Sequence, residues 1–256
     1  RLALACEGRH RAALRDAARA LEVLNLEEDA AMLCTLRSEL WRTEVRGTAA
    51  EVDMAVHAAG DREELRASDR FGVIGKALLR GIALGLGMSE DWFAETICRE
   101  PTELFRLFHY PPPDLSNLKE GEHPGWGVGE HTDYGLLTIL AQDDCGGLQV
   151  KLPGNNWIDV IPEPSVYVCN IGDMLDKLTE GRYRSTPHRV LNASGRQRVS
   201  FPFFVDPSWD AEVTALPLEG SRPADDVERR WDGKSVHTWS GLYGDYLVNK
   251  VSKIFP

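Results

Sequence analysis

The sequence predicts a mainly β fold with added α structure: a jelly-roll-like β core with helices on its N-terminal side and a helix at its C-terminal end. Three observations predict it. The chain changes character near residue 100, from segments rich in Ala, Leu, Glu and Arg to short runs of β-branched and aromatic residues. Gly, Pro, Asn and Asp separate those runs at the spacing of a sandwich or barrel. The helical segments precede the strands instead of alternating with them, which argues against a parallel doubly wound sheet.

The elements follow in order. Ala12 to Leu24, Glu27 to His57 and Arg62 to Leu86 carry apolar residues at helical spacings. Gly85 and Gly87 read as stop signals, and Ser89-Glu90-Asp91 as the cap of a new turn. Strands are predicted at Leu136 to Ala141, Gly147 to Leu152, Trp157 to Ile161, Ser165 to Ile171, His188 to Asn192 and Val199 to Asp206. The stretch Ser235 to Lys253 reads as helical again. With no internal repeat or low-complexity linker, a single domain is expected over residues 1–256: mainly helical over 1–100, a jelly-roll core over 101–234 and a C-terminal helix over 235–256.

Composition narrows the function. A chain of 256 residues, 43% of them hydrophobic, can bury a substantial core, and disorder is not expected. No apolar run approaches the roughly 18 residues that a spanning helix needs, and RLALACEGRHRAALRDAARA lacks a signal peptide's apolar centre. A soluble, cytoplasmic protein with no membrane partner is the expectation. The charge of 29 minus 40, or −11, repels a phosphate backbone, so a small molecule is the expected partner and nucleic acid is not. A monomer is expected. Five cysteines, widely spaced and without a CxxC pair, suit buried reduced thiols.

The chemistry begins at EHTDYGLLTIL, residues 130–140. Residues i and i+2 of an extended segment point to one side, so His131 and Asp133 can converge on one ion. Alone, an HxD triplet is what chance supplies in a chain with seven histidines. A second cluster changes its weight. His188 begins a strand-like run, and Arg198 and Ser200 sit at i and i+2 on one face of an apolar strand. A guanidinium there calls for an anion, which it grips with a two-pronged fork while the hydroxyl donates a further bond to the same carboxylate. Two imidazoles and one carboxylate near such an arginine form the ligand set of a facial triad, which leaves iron positions open for a chelating cosubstrate and oxygen. Zinc more often shows HExxH or cysteine pairs, and neither occurs.

The text from residue 76 to residue 256 resembles the iron(II) and 2-oxoglutarate-dependent dioxygenases, in the branch that includes isopenicillin N synthase and the plant flavonoid and hormone oxidases. The resemblance is carried by LFRLFHYPP (104–112), HTDYGLLTIL (131–140), GGLQV (146–150), VCNIGDMLDKLTEGRYRSTPHRV (168–190), RVSFPFFVDP (198–207) and YGDYLVNKVSKIFP (243–256). It implies a double-stranded β-helix, a form of jelly roll, with His131, Asp133 and His188 as Fe(II) ligands. It also implies that Arg198 and Ser200 hold the distal carboxylate of 2-oxoglutarate, helped by the Tyr110 hydroxyl. The activity implied is oxidation of a small organic molecule by O2 (hydroxylation, desaturation or ring formation) with release of succinate and CO2. The carboxylate of Asp133 argues against halogenation, for which related enzymes carry a small residue there. The chain departs from the family at Phe108, where many relatives carry Asn, and at Glu180, another common Asn. The usual Gly-Phe-Phe strand and His-Gly turn are not found before residue 76.

Other residues keep two readings. Phe204, at i+4 from Ser200, can stack on a substrate or pack in the core. Tyr134 and Phe108 flank the motifs as candidate pocket walls, with a structural role as the ordinary reading. Asp173 reads as a turn or helix N-cap residue, and Asn170 as a cosubstrate contact or a partner for backbone groups. His10, His57, His109, His123 and His237 have no partner at ligand spacing and read as surface or packed residues. Two alternatives to the dioxygenase stay open: an iron oxidase of the same fold that does not consume 2-oxoglutarate, as isopenicillin N synthase and the ethylene-forming cyclopropane-carboxylate oxidase do not, and a non-catalytic β-barrel binding protein.

Overall fold

A computed structural model describes residues 69–112, 126–152, 155–220, 223–225 and 227–253. The helices expected over Ala12 to Leu24 and Glu27 to His57 lie outside the described residues. Residues 69–85 form helix α1. Gly87, with φ +79°, ends it: Met88 N–H bonds to Ala83 O at 2.9 Å and Gly87 N–H to Leu84 O at 3.0 Å, the paired bonds of a left-handed cap. Of the two expected stops, Gly87 is the one used, and Gly85 is the last helical residue. A short turn, α2 (Trp92–Glu95), follows with Asp91 as its N-cap residue.

Among the described residues nine strands then build two antiparallel sheets. They are β1 (Pro101–Phe105), β2 (Phe108–Tyr110), β3 (Val128–His131), β4 (Leu137–Gln142), β5 (Leu148–Lys151), β6 (Trp157–Asp159), β7 (Val168–Ile171), β8 (His188–Val190) and β9 (Arg198–Ser208). One sheet runs β1-β9-β4-β7 with β2 also on β9, and the other runs β3-β8-β5-β6. This is the jelly roll, or double-stranded β-helix, expected from the sequence. Helix α3 (Asp173–Leu178) lies between β7 and β8, and α4 (Tyr243–Val251) closes the described chain.

The longest strand, β9, divides core from site by simple alternation. Val199, Phe201, Phe203 and Val205 are each at most 3% exposed and form one face of the apolar core. Helix α1 covers that face with Phe71, Ile74, Leu78 and Ile82, and the Phe71 ring stacks on Phe203 with centroids 5.7 Å apart. Gly75 permits the approach, since a Cβ there would stand 2.7 Å from Val205 Cγ2. The alternate residues Arg198, Ser200, Phe204 and Asp206 point the other way, toward the site.

Three differences from the sequence expectation have physical causes. Strands β1 to β3 were not expected: β1 opens on a proline and exposes Glu103, so it lacks the apolar alternation of a half-buried strand. The C-terminal helix spans Tyr243–Val251 and not the whole of Ser235 to Lys253. Gly241, with φ +136°, and the bond from His237 N–H to Ser235 Oγ at 3.0 Å hold the preceding stretch in turns. Gly172 caps α3, and Asp173 is its first helical residue.

Candidate metal centre and the cavity beside it

His131 ends β3 and pairs across the sheet with His188 on β8, so register alone sets the two imidazoles side by side, with ring centroids 4.2 Å apart. Asp133 follows on the loop into β4. Its Oδ1 stands 3.7 Å from Nε2 of His131 and 3.7 Å from Nε2 of His188. One donor atom from each of the three lies within 4.8 Å of the others. Donors of one ion, each bound at about 2.1 Å, lie within roughly 4.2 Å of one another, so the His-Asp separations are those of ligands.

Every atom that does not face this point has a partner elsewhere. Nδ1 of His131 bonds to Gly129 O at 2.8 Å and Nδ1 of His188 to Thr186 O at 3.0 Å. Both Nδ1 atoms therefore carry the proton, and both Nε2 lone pairs are left for a cation. Oδ2 of Asp133 accepts from Thr138 Oγ1 at 2.5 Å and from Asn170 Nδ2 at 2.6 Å, which leaves Oδ1 for the ion. Burial alone raises the Asp133 carboxyl, but His188, His131 and these two bonds outweigh it and hold the group below its ordinary range. Burial and the neighbouring His188 lower His131, favouring the neutral imidazole that a metal requires. The donor set thus fits a divalent transition metal with open positions, and the two imidazoles and one carboxylate fit iron(II).

The loop carrying Asp133 is sewn to α3. Asp173 N–H donates to Asp133 O at 2.8 Å and Met174 N–H to Gly135 O at 2.9 Å, so the metal loop supplies acceptors for the first amides of the helix. Both glycines at this seam are required by close approach. A Cβ on Gly135 would collide with Asp206 Oδ1, and one on Gly172 would collide with Gly135 O.

Arg198 is 1% exposed at the start of β9. It donates to Gly146 O at 2.7 Å, to Ser200 Oγ at 3.2 Å and to Gln142 Oε1 at 3.1 Å, and its guanidinium carbon lies 4.8 Å from the centre of the Tyr110 ring. Among the described residues its hydrogen-bond partners are all neutral. Tyr110 pairs with Arg198 across β2 and β9, and Phe108 with Ser200, so the four form one cross-strand group. Phe204 shares the Ser200 face and pairs with Thr138 on β4. Tyr134 is half-buried; burial and the charges of Asp173 and Asp133 push its hydroxyl up.

A cavity of about 900 Å³ lies beside the site, lined by neighbours of the metal donors and of Arg198 and not by those residues themselves. Its wall includes Asn170 and Gln142, the partners of Asp133 and Arg198, together with Thr132, Asp173, Trp231 and Lys250. Phe108, Tyr134 and Phe204 are not among the residues that line it. Trp231 donates from Nε1 to Thr132 Oγ1 at 3.0 Å and so touches the residue between two metal donors. The segment bearing it is anchored by Arg230, which bonds both oxygens of the fully buried Asp176 at 3.2 Å and also reaches Asp225. His237 joins this cluster at 2.7 Å from Asp176 and is no isolated histidine. Thr138, Gln142, Trp231 and Arg230 were not singled out from the sequence. A threonine inside the apolar run LLTIL is the one local signal of them.

A fold of two antiparallel sheets with a His-Asp-His centre at one seam defines a class of non-haem iron oxygenases. Residues 101–207 match the 2OG-Fe(II) oxygenase superfamily, and the chain belongs to that family. A Dictyostelium discoideum protein named a probable iron/ascorbate oxidoreductase is 47% identical over 199 residues, covering 73% of this chain and 54% of its own length. A homoarginine-6-hydroxylase of Arabidopsis thaliana is 39% identical over 184 residues, covering 71% of this chain and 48% of its own. The chain therefore spans about half the length of the curated relatives it matches. Among solved structures, a full-length Neurospora crassa protein in complex with alpha-KG and 5-formyluracil superposes with a TM-score of 0.62 at 29% identity, over 75% of this chain and 59% of that one. Among the described residues no helix is long and apolar enough to cross a membrane.

Proposed function

We propose that this protein is an Fe(II)- and 2-oxoglutarate-dependent dioxygenase that oxidises a small organic molecule by hydroxylation, desaturation or ring formation, releasing succinate and CO2, and that the chain forms one such domain. The observation that carries this is the convergence of His131 Nε2, Asp133 Oδ1 and His188 Nε2, each oriented by a bond to its other polar atom. Iron(II) held by these three would supply the oxidising chemistry, with positions left open for 2-oxoglutarate and O2.

The chain's own groups bind, orient and exclude water. Arg198 is a buried guanidinium with neutral neighbours, and a carboxylate is the partner that would repay its desolvation. The distal carboxylate of 2-oxoglutarate suits it, with the Ser200 hydroxyl at its side and the Tyr110 ring beneath. Thr138 and Asn170 keep Asp133 ionised and turned inward. Trp231 screens the metal loop from the C-terminal side.

A second reading is favoured by relatives named 1-aminocyclopropane-1-carboxylate oxidase, 39% identical over 209 residues: the same centre without consumption of 2-oxoglutarate. Those relatives and the homoarginine hydroxylases also put amino acids first among substrates to try. The test is anaerobic titration of the full chain with Fe(II) and then 2-oxoglutarate, followed by the weak visible charge-transfer band of the chelate, and succinate release once O2 is admitted. Asp133→Ala is expected to lose both. Full succinate release by that variant would sink the triad assignment, and substrate oxidation without succinate would favour the second reading.

A further inference from the structure

We propose that the end of the cavity beside the metal loop is a cation subsite, built from Asp173 and Asp232 on the cavity wall with the Tyr134 and Tyr246 rings against the Lys250 ammonium, that takes the side-chain ammonium or guanidinium of a small-molecule substrate. It rests on the oxygenase reading for what then happens to that substrate.

Asp173 is 1% exposed and lines the cavity. Its Oδ2 accepts from the Tyr246 hydroxyl at 2.7 Å, whereas its Oδ1, also buried, has no hydrogen-bond partner among the described residues. A carboxylate withdrawn from water with one oxygen unpaired is costly unless a donor arrives, and the donor that suits an anion best is a cation. Asp173 also stands next to the chemistry, since its backbone N–H holds Asp133 O.

Lys250 shows what the box accepts. Its ammonium lies 3.6 Å from Asp173 Oδ2 and 4.0 Å from Asp232 Oδ2, over the Tyr134 ring at 5.5 Å and the Tyr246 ring at 5.3 Å. Both carboxylate distances exceed a hydrogen bond, so the chain places its own ammonium at the box without binding it tightly. Two carboxylates against one ammonium leave a net charge of −1, and the tyrosine faces add their quadrupoles to the attraction. Two of the other cations on the cavity wall are held elsewhere, Lys151 by Glu130 at 2.8 Å and Arg230 by Asp176 and Asp225, while Arg182, Arg184 and Lys234 also line the cavity. Lys250, on a flexible four-carbon stem, then competes with an incoming cation and is displaced by one that bonds Asp173 Oδ1 directly.

The experiment is calorimetric titration of the full chain, loaded anaerobically with Fe(II) and 2-oxoglutarate, with L-arginine and L-lysine, and with L-norleucine and L-glutamate as controls that share the α-amino acid group but carry a neutral or an anionic side chain. Arginine or lysine is expected to bind one to one, at least tenfold more tightly than either control. Asp173→Asn should weaken cation binding at least tenfold and Asp232→Asn at least threefold. Lys250→Met should tighten it at least threefold by removing the internal competitor, which a merely structural role for Lys250 would not do. If Asp173→Asn does not fold, the Asp232 and Lys250 variants decide. Absence of cation binding, or glutamate binding that Lys250→Met abolishes, would overturn the subsite. The visible chelate band on the same samples separates the two claims: a band without cation binding retires the subsite alone. No band with 2-oxoglutarate unbound retires the oxygenase reading, and titration of the metal-free chain still reports on the box.

Discussion

Thr138 and Asn170 are cross-strand partners on β4 and β7, and both donate to the same oxygen of Asp133. The pair sets the plane of the carboxylate, so that Oδ1 faces both imidazoles while Oδ2 is occupied. Either donor lost lets the carboxylate turn. Asn170→Ala and Thr138→Val are each expected to lower metal affinity by about 10–100-fold with the fold retained, measured by cobalt(II) titration beside circular dichroism. Unchanged affinity in the double variant would remove these bonds from the account of the site.

Arg198 makes a separate prediction, because its bonds go to Gly146, Ser200 and Gln142 and to none of the three metal donors. Arg198→Met keeps much of the buried volume and deletes the charge. Affinity for 2-oxoglutarate is expected to fall by about 2–5 kcal/mol, the range for truncating one side of a buried charge pair, while metal binding stays intact. Calorimetry on the metal-loaded variant checks it. Equal affinity would favour the oxidase that does not consume 2-oxoglutarate.

The legible parts of the site were those that a strand's two-residue period writes locally. His131 with Asp133 and Arg198 with Ser200 both follow from i and i+2 on one face, and β9 alternates as its sequence does. The fold class was legible for the same reason, since turn residues punctuate β-branched runs. Pairings across long sequence distances were not. Asp176 and Arg230 are 54 residues apart and belong to no motif, and the Trp231 bond to Thr132 spans 99 residues. The polar strands β1 and β3 lack the apolar alternation that marks a strand in sequence, and the C-terminal helix starts later than its pattern suggests because Gly241 breaks it.

The Asp176 cluster should be costly to break. Arg230 is 7% exposed at its side chain and contributes two of the bonds to a carboxylate that is 0% exposed. Among the described residues Arg230→Met leaves that charge paired with His237 and with the amide and hydroxyl of Ser185, and a loss of about 3–5 kcal/mol in urea denaturation is expected. Arg230→Lys should recover only part of it, since an ammonium cannot span both oxygens. Burial raises the Asp176 carboxyl, but the bonds from His237 and Arg230 prevail and hold it below its ordinary range. Its contribution is therefore complete above about pH 4 and is lost as pH falls through the depressed value, so the variant's deficit should shrink in acid.

Asp206 carries the opposite sign. Burial pushes its carboxyl up to about 7, against the Tyr243 hydroxyl bond that lowers it, and the charge of Asp133 adds to the rise. An acid whose folded value exceeds its unfolded value of 3.8 binds more protons when folded, so stability falls as pH rises through that interval. The wild-type chain is expected to lose up to about 4 kcal/mol between pH 4 and pH 8 from this group, an upper bound set by about three pKa units. Asp206→Asn keeps an acceptor for Tyr243 and cannot ionise, so its stability profile should be flatter over the same range. The comparison of the two slopes by urea denaturation is the measurement. Parallel slopes would assign the raised proton to another group.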